Sequence, residues 1–286
     1  MKKHFSTAII VLILLAGLSL LLYPTASDFI SQLNHRNVIS EYTSTIEGIS
    51  EEEKARLLEA AYEYNRELAQ NGAETMVRPS AEQLEVYETM LNVSENGVMG
   101  YVRISSINVS LPIYHGTSEA ILQIGVGHLE CSSLPVGGET SHSILSGHRG
   151  LPSAKLFTNL DKLGFGDIFT IHILGETFTY EVDDIQTILP EELQYLKIEE
   201  GQDYCTLLTC TPYGINTHRL LVRGHRIENL PEGQEYIIAS DQTVARLVSP
   251  VWAVVISEIP IILAALIIFI IHKTRRKLGD GNFEKS

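Results

Sequence analysis

The sequence predicts a mainly β domain of many short strands, closed into a barrel or packed as a sandwich. A helical segment precedes it and an apolar segment lies at each end. Three observations carry this reading. Between residues 97 and 227, short runs rich in β-branched and aromatic residues alternate with turn residues. Ahead of them, residues 50–70 place apolar side chains at helical spacing. The two ends of the chain each carry a long apolar run.

Taken in order, the first run follows Met1-Lys2-Lys3 and extends from about Ala8 to Leu22, before Tyr23-Pro24. A basic start and a run of this length fit a signal peptide or a short membrane anchor, with cleavage near Ala26-Ser27 left open. Residues 50–70 read as a helix: Ser50 and Glu53 have capping-box spacing, and Leu58, Ala61, Tyr62, Asn65, Leu68 and Ala69 share one face. Asn71-Gly72 would end it. A second helix is predicted over residues 80–91, with Leu84, Tyr87 and Leu91 on one side. Candidate strands cover residues 98–104, 109–114, 142–145, 167–174, 177–182, 204–209 and 218–222, with Gly175-Glu176 as a hairpin turn and a short helix over 155–162.

The second apolar run covers about Val248 to Ile271 and is followed by His272-Lys273-Thr274-Arg275-Arg276-Lys277. Its length suits a bilayer span, and basic residues immediately after it point to the cytoplasmic side. Glu258 interrupts the run and is expected near the outer interface or against a partner. With Lys2 and Lys3 also inside, the middle of the chain is predicted to lie outside the membrane.

The 286-residue chain has a formal net charge of −14, and no basic stripe interrupts its acidic middle. Nucleic acid is therefore excluded as a partner, since its recognition needs clustered Lys and Arg. An extracellular location permits disulfides, yet Cys131, Cys205 and Cys210 are three and cannot all pair with one another. That directs attention to a reactive thiol.

Cys210 stands at the end of the apolar run Tyr204-Cys205-Thr206-Leu207-Leu208-Thr209, and Pro212 and Gly214 stop the strand just beyond it. A side chain at a strand end is rigidly held and still open to a substrate. Arg219 follows nine residues later, and a loop between the two would let their strands pair antiparallel and bring them together. His148, in Leu145-Ser146-Gly147-His148-Arg149-Gly150, also follows an apolar strand. A thiolate nucleophile, an acid to protonate a leaving amine, and a cation beside a developing oxyanion form a complete set for acyl transfer. Each residue alone has a plainer reading. An isolated Cys is more often a small buried hydrophobe, and His225 in Gly224-His225-Arg226 repeats the Gly-His-Arg triplet of His148. Spacing does not choose between the two histidines.

The combination does. Thr206-Leu207-Leu208-Thr209-Cys210, Arg219 downstream and Ser146-Gly147-His148 upstream resemble the sortase family, whose pattern is Thr-Leu-x-Thr-Cys, a later Arg, and a His in a Thr/Ser-Gly-His segment. Leu111-Pro112-Ile113-Tyr114-His115-Gly116 and Gly127-His128-Leu129-Glu130 also look familial, so the resemblance spans roughly residues 97–227. It implies an eight-stranded β-barrel and cleavage of C-terminal sorting signals of the Leu-Pro-x-Thr-Gly kind between Thr and Gly. Cys210 would be the nucleophile, His148 the general acid/base and Arg219 the oxyanion and substrate stabiliser. His225, His128, His115 and His142 receive no role, Cys205 is expected to face the core, and no metal or redox cofactor is needed. The resemblance divides the chain into an anchor (1–24), a helical segment (25–95), the catalytic barrel (96–230), a linker (231–247), a transmembrane helix (248–272) and a basic cytoplasmic tail (273–286).

The C-terminal span and the helices before the barrel look like class C, the pilus-assembling type, whose partners are pilin precursors joined through a lysine. Two alternatives stand beside it. One is a housekeeping enzyme that attaches surface-protein precursors to the cell wall. The other is a non-catalytic, membrane-tethered pilin-binding barrel. Many class C members carry an Asp-Pro-aromatic lid ahead of the barrel, but the stretch here reads Thr75-Met76-Val77-Arg78-Pro79-Ser80. The expectation is either no lid or one plugged differently, with Met76 the nearest apolar candidate.

Overall fold

The computed structural model describes residues 2–70, 79–94 and 96–230. The expected C-terminal span with Glu258, the linker, the basic tail and the stretch from Thr75 to Arg78 lie outside the described residues.

Helix α1 (Lys2–Glu47) is longer than the apolar run that announced it, and it continues through Pro24. Proline removes its own N–H bond and crowds the preceding turn. The next 23 residues contain neither Gly nor Pro, however, and Ile39, Tyr42 and Ile46 bury at helical spacing against the barrel. By length and composition α1 is long and apolar enough to cross a membrane. Gly48 ends it, and α2 (Glu51–Gln70) begins after Ser50.

The capping box predicted at Ser50 is half formed. The Glu53 N–H donates to Ser50 Oγ (3.3 Å), but the Glu53 carboxylate turns to Arg56 (2.8 and 2.6 Å). The complete box lies at the start of α3 (Ala81–Thr89): the Gln83 N–H donates to Ser80 Oγ (3.2 Å) and the Ser80 N–H to Gln83 Oε1 (2.9 Å). Asn65, on the predicted inward face of α2, is buried. Its amide accepts from the Leu134 N–H (2.7 Å) and donates to the Leu134 carbonyl (3.0 Å), which pins α2 to the barrel.

Eight strands close the barrel: β1 (Val98–Ile104), β2 (Val109–His115), β3 (Val126–His128), β4 (Ser141–Ser146), β5 (Ile168–Ile173), β6 (Glu176–Ile188), β7 (Asp203–Thr211) and β8 (His218–Ile227), in the order β1-β2-β3-β4-β7-β8-β6-β5. A short helix, α4 (Glu119–Leu122), precedes β3. The sequence did not show β3, which is three residues long with Gly127 at its centre. It also stopped β6 at residue 182, because Asp183-Asp184 does not read as strand. In the structure Asp183 is the extra residue of a bulge, and its carboxylate takes both Nε and Nη2 of Arg223 on β8 (3.1 Å each). The short helix expected over 155–162 reduces to a single tight turn at Leu160–Lys162.

Alternation along the strands divides two apolar clusters. Val102, Ile171, Cys205, Leu207 and Val222 belong to the main core inside the barrel. Ile144, Leu208, Leu221 and Ile188 form a smaller cluster on the outer face of β4, β7, β8 and β6, closed over by Leu129 and Leu196.

Two buried histidines complete the packing. His128 Nε2 donates to the Ser133 carbonyl (2.8 Å) while Nδ1 accepts from the Tyr87 hydroxyl (3.0 Å). His142 Nδ1 donates to the Lys197 carbonyl (2.7 Å) while Nε2 accepts from the Thr206 hydroxyl (2.7 Å). Both rings are thus built to be neutral, and burial pushes each down to about 4 from 6.5. Between those values the unfolded chain binds protons that the folded chain does not. Their contribution is present in full above pH 6.5 and is lost as pH falls toward 4. Denaturant melts at pH 7 and pH 5 are expected to differ by about 3 kcal/mol from these two residues together. Equal stability at the two pH values would contradict it.

Candidate active site

The site forms where β4, β7 and β8 run side by side. β4 and β7 pair in parallel from Ser141↔Asp203 to Ser146↔Leu208, a constant offset of 62 positions. The strands stay together past the end of β4: the Gly147 N–H donates to the Leu208 carbonyl (3.0 Å), and Thr209 Oγ1 donates to the Gly147 carbonyl (2.7 Å). His148 and Cys210 are also 62 positions apart, so the same register carried two positions past Ser146 and Leu208 leads to this pair. On the other edge of β7, Cys210 is the direct antiparallel partner of Arg219. Cys210 therefore lies between His148 and Arg219 in adjacent strand positions.

Parity puts all three on the outer face. Leu208 and Leu221, two residues along their strands, belong to the outer apolar cluster, whereas Cys205 and Leu207 belong to the interior. The site thus lies on the outer face of the barrel beside the smaller apolar cluster, and Cys210 is half-buried there. Cys205 faces the core as expected, and burial pushes its thiol well up. Burial raises the half-buried Cys131 as well. His225, the competitor by sequence, pairs with Tyr204. It lies six residues along β8 from Arg219, roughly 20 Å away.

Side-chain partners define the surroundings. Arg219 Nη1 donates to the carbonyls of Asn216 (3.2 Å) and His218 (3.1 Å), and among the described residues its Nε and Nη2 edges make no hydrogen bond. His148 Nε2 lies 3.2 and 3.3 Å from the two carboxylate oxygens of Glu119 on α4. Gln123 and then His148 hold the Glu119 carboxyl below its usual range. Arg149 is largely buried and donates through Nη1 to Thr211 Oγ1 (3.0 Å) and through Nη2 to Asp161 (2.6 Å), which braces the segment after His148 against the end of β7. Gly147 admits no other residue: a Cβ there would stand 2.6 Å from the Phe157 ring.

Sequence reasoning missed Glu119, Thr209 and Arg149. Thr209 lay inside the quoted motif, and its hydroxyl could have been read as a strand-to-strand tether. Glu119 leaves no signal, because its link to His148 exists only once α4 packs. Among the described residues no cluster of His, Cys, Asp or Glu could hold a metal.

The arrangement has known counterparts. A family model described as the sortase domain matches residues 102–227. Sortase D of Bacillus subtilis is 29% identical over 131 residues, 45% of this chain and 63% of that protein. Sortase A of Streptococcus agalactiae is 27% identical over 117 residues, 40% of this chain and 47% of that protein. The matched stretch thus spans about half to under two thirds of these curated relatives. Among solved structures, sortase C1 from Streptococcus agalactiae is 49% identical with a TM-score of 0.66, covering 68% of this chain and 100% of that one. Sortase C from Clostridium perfringens, solved with the C-terminal cell wall sorting motif, is 47% identical with a TM-score of 0.60, covering 68% and 99%. From its eight-stranded closed barrel and these matches, the chain belongs to the sortase family of cysteine transpeptidases and most resembles its class C members.

Proposed function

We propose that the chain is a membrane-anchored transpeptidase that cleaves Leu-Pro-x-Thr-Gly-like sorting signals and joins pilin subunits through a lysine isopeptide bond. The observation that carries this is the strand register that brings Cys210 opposite Arg219 and carries His148 toward it on the outer face. The pilus assignment draws support from the solved neighbours, one of which is the sortase C1 of a Streptococcus agalactiae pilus island. The N-terminal part of α1 serves as the anchor, residues 248–272 as a second span, and the barrel stands outside the cell.

In this scheme the Cys210 thiolate attacks the Thr carbonyl carbon of the signal. The oxyanion meets the Arg219 guanidinium. As the Thr–Gly amide breaks, the His148 imidazolium gives its proton to the departing amine, leaving a thioacyl bond on Cys210. A pilin lysine amine then attacks that carbonyl, His148 takes its proton, and the thiolate leaves.

Incubating the purified chain with a sorting peptide and two acceptors, a pilin and a wall-type amine, tests the assignment. Covalent pilin dimers that disappear with Cys210→Ala are expected. Product on the wall-type amine alone would instead make the chain a wall-anchoring sortase, and a Cys210→Ala protein that still forms dimers would exclude Cys210 chemistry.

Glu119 is a positioning residue here: its carboxylate meets His148 Nε2 and aims the imidazole that the leaving amine needs. Glu119→Gln is expected to lower kcat/KM by about 3-fold, as an exposed ion pair allows, with Glu119→Asp recovering part of it. The loss should fall in kcat, with KM within about 2-fold of the parent. An unchanged kcat would leave the contact without a catalytic part.

A further inference from the structure

Helix α1 sets which way up the barrel stands. Its apolar stretch, ending at Tyr23, leads without a break into a stretch attached to the barrel at three heights. Asp28 accepts from the Lys155 N–H (2.9 Å) and pairs with Lys155 Nζ (3.1 Å). His35 Nε2 donates to the Ile124 carbonyl (2.9 Å). The Tyr42 hydroxyl donates to the Met99 carbonyl (3.0 Å) and accepts from the Leu174 N–H (2.9 Å). At 1.5 Å per residue, these attachments lie roughly 8, 18 and 29 Å beyond Tyr23 along the helix.

The two lower attachments belong to the end of the barrel that carries the site. Lys155 precedes Phe157 by two residues, and the Phe157 N–H donates to the His148 carbonyl (3.1 Å). Ile124 follows α4, whose Glu119 meets His148. The highest attachment belongs to the opposite end, where β1 begins, β5 finishes, and a Cβ built on Gly175 would lie 3.7 Å from Ile46. Strand directions extend this around the barrel: β4, β6 and β7 finish at the Asp28 end, and β5 and β8 begin there.

Exposed apolar side chains follow the same division. The loops at the Asp28 end display Ile124 (51% exposed), Phe165 (72%), Tyr213 (60%) and Ile215 (66%). Turns at the other end expose Glu176, Glu199 and Glu200. Charged side chains stand among the apolar ones at the Asp28 end, Glu119, Lys155, Asp161 and Lys162, and large exposed apolar side chains mixed with charged ones suit the headgroup layer of a lipid surface.

We propose that the catalytic end of the barrel rests against the outer face of the bilayer, with Phe165, Tyr213 and Ile215 in the headgroup region, so that Cys210 works roughly 10 to 20 Å above the end of the apolar stretch. This rests on the reading of α1 as a membrane anchor. The partner is phospholipid, and the surface restricts the site to substrates tethered to the same membrane.

The test uses the full chain in phospholipid vesicles, with Trp252→Phe removing the single native tryptophan. Reporter tryptophans are introduced as Phe165→Trp, Ile215→Trp and, at the far end, Glu176→Trp. All three sites are partly or largely exposed, and matching thermal melts establish that each variant folds. Lipids brominated near the headgroup are expected to reduce the Phe165→Trp and Ile215→Trp fluorescence by about half or more and to leave Glu176→Trp unchanged. Near-end tryptophans left unquenched in a chain that floats with the vesicles would overturn this orientation alone. A chain that does not float overturns the anchoring reading, and this one with it.

Discussion

Replacing Cys210 by Ala is expected to abolish transfer, with a loss of about 10³-fold or more in kcat/KM, and to leave stability within about 0.5 kcal/mol. The two halves follow from one position. Cys210 stands at the end of β7 on the outer face, half-buried and outside the core. Truncating it opens no internal cavity. Cys205, five residues earlier on the same strand, has the opposite parity and is fully buried among the interior side chains. Cys205→Ala is expected to show the reverse pattern: activity within a few-fold of the parent and a stability loss of about 1–2 kcal/mol from the lost packing. Thiol chemistry gives an independent reading. Burial disfavours the thiolate of both Cys205 and Cys131. Iodoacetamide near neutral pH should therefore modify Cys210 first, as read by peptide mass spectrometry, and block activity in proportion. Modification of Cys131 ahead of Cys210, with activity intact, would contradict the assignment.

The catalytic strands were legible because each couples a short apolar, β-rich run to a break. Tyr204 to Thr209 ends at Cys210-Thr211-Pro212, and His218 to Val222 begins after Gly214. Those two runs and their spacing predicted an antiparallel pair, and the register places Cys210 opposite Arg219. The gap of 62 residues between His148 and Cys210 was visible too, but not its meaning. A parallel pairing of two distant strands leaves no local trace, so the offset became a geometric statement only with the barrel closed. What escaped the sequence shares one cause: it depends on partners far along the chain. β3 has three residues and is held by pairing with β2 and β4 and by the bonds of His128 to Ser133 and Tyr87. The end of β6 is strand despite Asp183-Asp184 because Arg223 of β8 answers the bulged carboxylate. α1 outlasts Pro24 because Ile39, Tyr42 and Ile46 have a barrel to pack on.

His148→Gln carries the second large effect, an expected fall of about 10³-fold in kcat/KM for a peptide substrate. The magnitude depends on the leaving group. An amine expelled from a tetrahedral intermediate must be protonated as it departs, and the imidazole beside Cys210 is placed to do it. Glutamine retains a hydrogen-bonding side chain and has no proton to give. A thioester or nitrophenyl ester of the same acyl group departs without protonation, so the loss for it should shrink to about 10-fold, leaving only the part in which the imidazole assists the thiol. An undiminished loss on the ester would move the role of His148 from the leaving group to the thiol alone. The control is His225→Gln, which repeats the Gly-His-Arg context one face-matched position after another along β8 and pairs with Tyr204, six residues from Arg219. At roughly 20 Å from Cys210 it can move no proton in the reaction, and its turnover should match the parent within about 2-fold. The same tripeptide in two places thus separates by strand register: the offset that leads from Ser146 and Leu208 to His148 and Cys210 brings one histidine toward the thiol, and the antiparallel pairing of β7 with β8 carries the other toward the far end of β8.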